Sequence, residues 1–288
     1  MMEKHLINSK GFLSMCGQIA VKILFRHQNH KLVQMFDKLK LGKLYHHIPK
    51  KVKTKILLRT RNFDRIGPIK IPTEINSTVV ELTLYYYICF ESKNEYFLIT
   101  KNRDLKFSNP FLRISSNCFY AYVINSKRCD CQWQLNHSLS LLQNQKDNDS
   151  LIIFAISDHG KAIDGGLRGH ALLYALGQEL NQELIFDAYN KNGFKAEYRS
   201  YDDIDFILKS LSIKQLRLLT NNPERIQFFK NKRYDVEHYP IEKPYDKYLS
   251  EELGMKKKKL GHKLTLDGFS EKDIEIYGLT EDSFDFDI

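Results

Sequence analysis

Cys118, Cys129 and Cys131, spaced C-x10-C-x-C, restrict the fold of this chain more than any other feature of its sequence. Cys118 comes at the end of a strand-like run, and the close pair follows a loop and opens a segment, "QLNHSLSLLQNQ", with helical apolar spacing. Any fold that brings the three thiols together must make a strand end, a loop and a helix start meet at one point. Three protein ligands are what a catalytic zinc takes, because the fourth position is left for a water whose pKa the metal lowers to about 7. The same spacing also fits a closed zinc site completed by a histidine, or three free thiols.

The flanking sequence supplies the frame. "TVVELTLYYYICF" and "EYFLITK" are β-rich runs expected to pair across "ESKN", and "DSLIIFAIS" reads as a buried strand. "GLRGHALLYALGQELNQEL" reads as a long helix, "IDFILKSL" as a helix, "QLRLL" as a strand, "PERIQFFKNK" as a helix opened by Pro223, and "YDVEHYP" as a strand. That order predicts an α+β fold with mixed β-sheets flanked by helices. The net charge of +9 is concentrated at one end: residues 1–70 hold sixteen Lys/Arg against three Asp/Glu, a local charge of about +13. This stretch is expected to be a basic N-terminal extension, packed on the domain or a partner subunit, or facing an anionic surface such as nucleic acid or lipid. Residues 263–288 are acidic and read as a tail. "GFLSMCGQIAVKILF" is broken by Gln18 and Lys22, so it is no secretory leader, and no apolar run is long enough to span a membrane. Five cysteines in that setting point to a reducing, cytoplasmic compartment, where close cysteines mean metal more often than disulfide.

Four segments together resemble a known family. "RISSNC" (Arg113 to Cys118), "SKRCDCQWQL" (Ser126 to Leu135) and "LRLLTNNPERI" (Leu216 to Ile226) are similar to the R-x-x-S-x-C, S-x-R-C-D-C-G-x-Q-L and L-L-T-N-N-P-x-K segments of GTP cyclohydrolase II. "YL" at Tyr248 and Leu249, followed by "LGH" at Leu260 to His262, resembles that family's closing pattern. The likeness runs over Ile71 to His262, which sets residues 71–262 as the expected catalytic domain. It implies a zinc- and magnesium-dependent homodimeric hydrolase that opens the imidazole ring of GTP, or of a related purine nucleotide. Formate and pyrophosphate would leave, at the first committed step of riboflavin synthesis.

The resemblance also implies roles for residues. Cys118, Cys129 and Cys131 would hold zinc, and Arg113, Gln134, His159, Lys161, Thr220 and Arg225 would bind substrate. Arg199 in "AEYRSY" matches the arginine of the family's D-x-R, which acts at the α-phosphorus, and Glu197 stands where the aspartate serves as base. An arginine stays protonated, so clamping phosphate is the easier chemistry for it. Two extra residues in "GKAIDGGL" put Tyr174 at the catalytic tyrosine, whereas an ungapped count puts Leu172 there.

Several positions depart from the family pattern. "DHGKAI" replaces the E-G-R loop, so His159 stands where a carboxylate would read guanine, Lys161 replaces an arginine, and Asp158 lies adjacent. Tyr120-Ala121-Tyr122 replaces T-G-D, "ELIFDAY" keeps only Asp187 and Ala188 of D-T-x-E-A-N, and Arg225 replaces a lysine. The pattern is a kept reaction centre with an altered nucleotide pocket. A non-catalytic zinc- or nucleotide-binding relative, or an enzyme that retains the formyl group, is the alternative.

Overall fold

A computed structural model of the chain describes residues 57–146, 148–158, 171–172, 174–175, 179, 199–244 and 248–265. The chain divides into two compact units, Met1–Ile56 and Leu57–Ile288, and the described residues all belong to the second.

Eight strands make one mixed sheet: β1 Leu57–Arg59, β2 Phe63–Ile75, β3 Thr78–Cys89, β4 Glu95–Thr100, β5 Phe111–Ser116, β6 Ser150–Ala155, β7 Gln215–Leu219 and β8 Asp235–Tyr239. Their order across the sheet is β1-β2-β3-β4-β6-β5-β7-β8. From β1 to β6 each neighbour is antiparallel, and from β6 through β5 and β7 to β8 each is parallel. The two β-rich runs pair across "ESKN" as expected, with Tyr87 opposite Tyr96 and Tyr85 opposite Leu98. The α+β architecture read from the sequence is the one the chain adopts. β1 and the first half of β2, however, come from residues expected to form the basic extension. Their cations sit at the sheet surface, where Arg59 pairs with the buried Asp64 at 3.0 Å, while Phe63 points into the core. The second compact unit begins at Leu57, so it takes in β1 and all of β2.

Five helices are described: α1 Phe119–Tyr122, α2 Cys131–Asn144, α3 Asp202–Ser210, α4 Pro223–Asn231 and α5 Ser250–Leu260. Leu135, Leu139 and Leu142 recur at helical spacing on α2 and cover Leu82 and Ile152 on one face of the sheet. Ile204, Ile207 and Leu208 of α3, with Ile226 and Phe229 of α4, cover Leu112, Ile114, Leu151 and Ile153 on the other. β6 is therefore apolar along its length rather than alternating, because it is buried on both faces. At α4 the sequence "TNNPE" dictates the start: the Asn222 side chain accepts from the Glu224 N–H at 2.9 Å, and Pro223 takes the first turn, where no N–H is needed. α5 ends at Gly261, whose φ of +61° lets its N–H bond back to the Lys257 carbonyl. Most of "GLRGHALLYALGQELNQEL", read as a long helix, lies outside the described residues.

Gly67 marks an irregularity in β2, where the register to β3 shifts between Ile66 and Ile69. Its φ is +141°, and a Cβ there would lie 2.8 Å from both the Leu84 carbonyl oxygen and Cδ1 of Tyr85. Gly67→Ala is expected to cost about 1–3 kcal/mol, through strained backbone and this overlap. A urea midpoint equal to wild type would show that the β2–β3 ladder can give way there.

Candidate active site

Strand order fixes where a ligand can enter. From β5 the chain passes through α1 and α2 to β6 on one side, whereas β7 lies on the other side of β5. Where successive connections diverge in this way, a crevice opens at the carboxyl ends of the strands. A cavity of about 510 Å³ lies there, lined by Ser116 and Cys118 after β5, Thr220 to Asn222 after β7, the start of α2, and Lys256, His262 and Leu264 from the C-terminal segment.

The three cysteines meet in its wall. Cys118 precedes α1, Cys131 is the first residue of α2, and the three Sγ atoms lie within 4.8 Å of one another. Two sulfurs bound 2.3 Å from a tetrahedral zinc are about 3.8 Å apart. The Cys118–Cys129 separation is 3.8 Å, so the donor set fits such an ion. Among the described residues no fourth histidine, cysteine or carboxylate joins the group. The hydrogen bond from Cys129 favours the Cys118 thiolate, but the contact with Cys131 and burial outweigh it and push the Cys118 thiol up to about 12. Cys131 is raised likewise, so without a cation the Cys118 and Cys131 sulfurs hold protons at neutral pH, which a metal must displace.

Around them the wall is cationic. Arg113 is buried on β5; its Nη1 donates to the Leu219 carbonyl at 3.1 Å and its Nη2 to Gln134 Oε1. Burial, and the Arg225 guanidinium nearby, lower its pKa to about 10, so it stays charged at neutral pH. Arg225, equally buried, donates to the Ile114 carbonyl at 3.2 Å and lies over the Tyr201 ring. The Nε atoms of both arginines are sealed from solvent and have no hydrogen-bond partner among the described residues. Arg199 reaches Ser116 Oγ at 3.3 Å, and Ser116 in turn donates to Asp158 Oδ2 at 2.6 Å.

Arg113, Gln134, Thr220, Arg225, Arg199, Tyr174 and the three cysteines all line this one cavity. Gln134 spends its amide on protein partners, accepting from Arg113 and donating to Asp130 at 2.7 Å. Thr220 accepts from the Asn222 N–H at 3.2 Å and shapes the turn after β7. Tyr174 faces the Tyr120 ring at 5.2 Å, whereas Leu172 is 54% exposed and away from the cavity. His159, Lys161 and Glu197 lie outside the described residues.

The sequence reading gave no role to Asp130, Lys256 or His262. Asp130, between two of the cysteines, is buried and accepts from Lys256 at 2.9 Å. Burial opposes its charge, but the Lys256 ammonium prevails and its pKa falls below the ordinary carboxylate value. His262 is turned inward by the left-handed Gly261, and burial, then Lys256, lowers its pKa to about 3. It is a neutral imidazole whose Nε2 is sealed and unpartnered among the described residues. The motif "LGH" was the available signal for it.

The profile of GTP cyclohydrolase II matches residues 69–239. The chain is 33% identical over 175 residues to "GTP cyclohydrolase-2" of Campylobacter hominis, covering 60% of this chain and 84% of that one. It is 30% identical over 199 residues to the Haemophilus influenzae protein of the same name, covering 68% of this chain and 87% of that one. Against "Riboflavin biosynthesis protein RibBA" of Synechocystis it is 31% identical over 202 residues, 69% of this chain but only 35% of the longer relative. Among the described residues no helix is long and apolar enough to cross a membrane. With strand ends, thiols and motif residues converging on one crevice inside the matched region, the chain belongs to the GTP cyclohydrolase II family.

Proposed function

We propose that the chain is a zinc-dependent hydrolase that opens the imidazole ring of GTP, or of a related purine nucleotide, releasing pyrophosphate and formate. The observation that carries this reading is the meeting of three convergent thiols and two buried arginines in one cavity. When bound by Cys118, Cys129 and Cys131, zinc supplies Lewis acidity that makes a water nucleophilic at neutral pH. C8 of the purine, between two nitrogens, is the electrophilic carbon at which water would add to open the ring.

The chain's own residues do the rest. Arg113 and Arg225 receive phosphate oxygens, with magnesium sharing the charge, and Arg199 clamps the α-phosphate. Tyr120 and Tyr174 present rings to the base, and the Tyr174 hydroxyl serves the ring-opening or deformylation step. Glu197, two residues before Arg199 in the sequence, serves as the base, and His159 and Lys161 bind the nucleotide. The catalytic unit runs from Leu57 through the C-terminal segment, with the basic residues before it as a separate extension. The enzyme is cytoplasmic and works as a homodimer in riboflavin synthesis.

Mass spectrometry of nucleotide incubated with the chain, zinc and magnesium tests this. The expected product is a deformylated diaminopyrimidine ribosyl phosphate, and Tyr174→Phe should slow its formation more than it weakens nucleotide binding. A product heavier by one formyl group would assign formyl retention instead. Nucleotide that binds and stays intact across GTP, GDP, ATP and their deoxy forms would make the chain a binding protein.

A further inference from the structure

Among the described residues the cavity wall carries five cationic side chains, Arg113, Arg128, Arg199, Arg225 and Lys256, against two carboxylates, Asp130 and Glu179. Glu179 sits beside Arg128, 3.4 Å away, and both side chains are largely exposed. Asp130 is thus the buried acid of the described wall, and its field acts on Arg113. A buried carboxylate next to a buried guanidinium ordinarily forms a two-pronged ion pair with it. Here it does not. Oδ1 of Asp130 accepts from Lys256 Nζ at 2.9 Å and Oδ2 from Gln134 Nε2 at 2.7 Å, so both oxygens are engaged. Lys256 arrives from α5, 126 residues away in sequence, and its side chain is only 15% exposed. With Asp130 engaged, Arg113 is held by the Leu219 carbonyl and Gln134, and Arg225 by the Ile114 carbonyl, and neither spends its charge on a described carboxylate.

We propose that Lys256 is a positioning residue: by occupying Asp130 it keeps Arg113, and with it the Arg113–Arg225 pair, directed into the cavity for the phosphates of an anionic ligand. Only the identity of that ligand rests on the nucleotide reading above. Removing the ammonium leaves a buried carboxylate uncompensated, which is strongly unfavourable. Arg113 is one hydrogen-bonded neighbour away, through Gln134, and turning it toward Asp130 relieves that cost at the expense of the cavity. A lysine that touched phosphate itself would act differently, since neutralising Asp130 as well would not restore what the ligand had lost.

The full-length, zinc-loaded chain decides between these through Lys256→Met, Lys256→Arg and the double variant Asp130→Asn/Lys256→Met. Affinity is read for α,β-methylene-GTP and, separately, for inorganic pyrophosphate, with zinc content and melting temperature on each protein. Lys256→Met is expected to weaken binding about tenfold or more, as truncating one partner of a buried pair does. Lys256→Arg and the double variant are expected to stay within about threefold of wild type, since in both Asp130 no longer calls for Arg113. Unchanged binding in Lys256→Met, or a double variant as weak as the single one, overturns the proposal. If Lys256→Met does not fold, the double variant alone decides, wild-type-like binding supporting the proposal and weak binding overturning it. A wild type that binds pyrophosphate but no guanine nucleotide defeats the nucleotide reading while leaving this test in force, and one that binds neither defeats both.

Discussion

Cys131→Ser is expected to lose both the proposed metal and the proposed chemistry: zinc should fall from about one per chain to a small fraction, and ring opening should slow by about a thousandfold or more. Cys131 is the first residue of α2, so its sulfur also sits at the positive end of a helix, which favours the thiolate a metal needs. A hydroxyl there offers a hard, poorly acidic ligand, and two thiolates no longer define a tetrahedral site. Elemental analysis after extensive dialysis reads the first effect and product mass spectrometry the second; full zinc occupancy in both Cys129→Ser and Cys131→Ser would remove the cysteines from the metal site. Loading zinc into the metal-free chain at pH 7 should release about two protons per ion from Cys118 and Cys131, because contacts among the thiols, and then burial, leave both above their ordinary value. Since each raised pKa means a proton to be displaced, apparent zinc affinity falls as the pH is lowered. An uptake that releases no protons would mean that sulfur is not the ligand.

Arg199→Ala separates the two halves of the reaction. Arg199 reaches Ser116 Oγ at 3.3 Å and lines the cavity on the side of Asp158, at the ends of β5 and β6. With the guanidinium gone, pyrophosphate release is expected to fall about a hundredfold to a thousandfold, the usual cost of deleting one donor to a developing charge. Arg199→Lys keeps a point charge without the fork and should fall between. Arg113 and Arg225 remain, so nucleotide affinity changes much less. Pyrophosphate release in Arg199→Ala at the wild-type rate would assign the α-phosphate to another group.

What the sequence made legible follows from how local each signal is. "QLRLL" and "NNPE" were readable because Leu216, Leu218 and Leu219 bury beside the polar Gln215 and Arg217, and because a helix start needs an acceptor at Asn222 and tolerates Pro223. The cysteine spacing announced a strand end, a loop and a helix start, and the thiols do meet. β1 and β2 were absorbed into the basic segment because Arg59, Arg61, Arg65 and Lys70 dominate its composition, while the partner strand that makes use of Phe63 lies more than twenty residues on. α5 was missed for a similar reason. Four consecutive lysines give no apolar period, and only the third dimension shows that Lys256 turns inward to Asp130. Charge sequestered by one partner looks, in a sequence, the same as charge displayed to water.

The two halves of the sheet carry a consequence for how the protein is made. β2 and β3 join through Asn76 and Ser77, whose positive φ values of 49° and 61° suit a tight hairpin, and eleven residue pairs zip outward from that turn. Hairpins of this kind close in microseconds, so β2 and β3 can pair before the rest of the sheet has been made. The thiol centre is completed later, because its neighbours Arg225 and Lys256 follow Cys131 by about a hundred residues or more. At about 5–20 residues per second, Cys131 leaves the ribosome roughly 6–25 s before Lys256 does. Throughout that interval three closely spaced thiols are exposed to any soft metal and to oxidants. The metal supply during expression, as well as the geometry of the finished site, therefore decides what the purified chain carries.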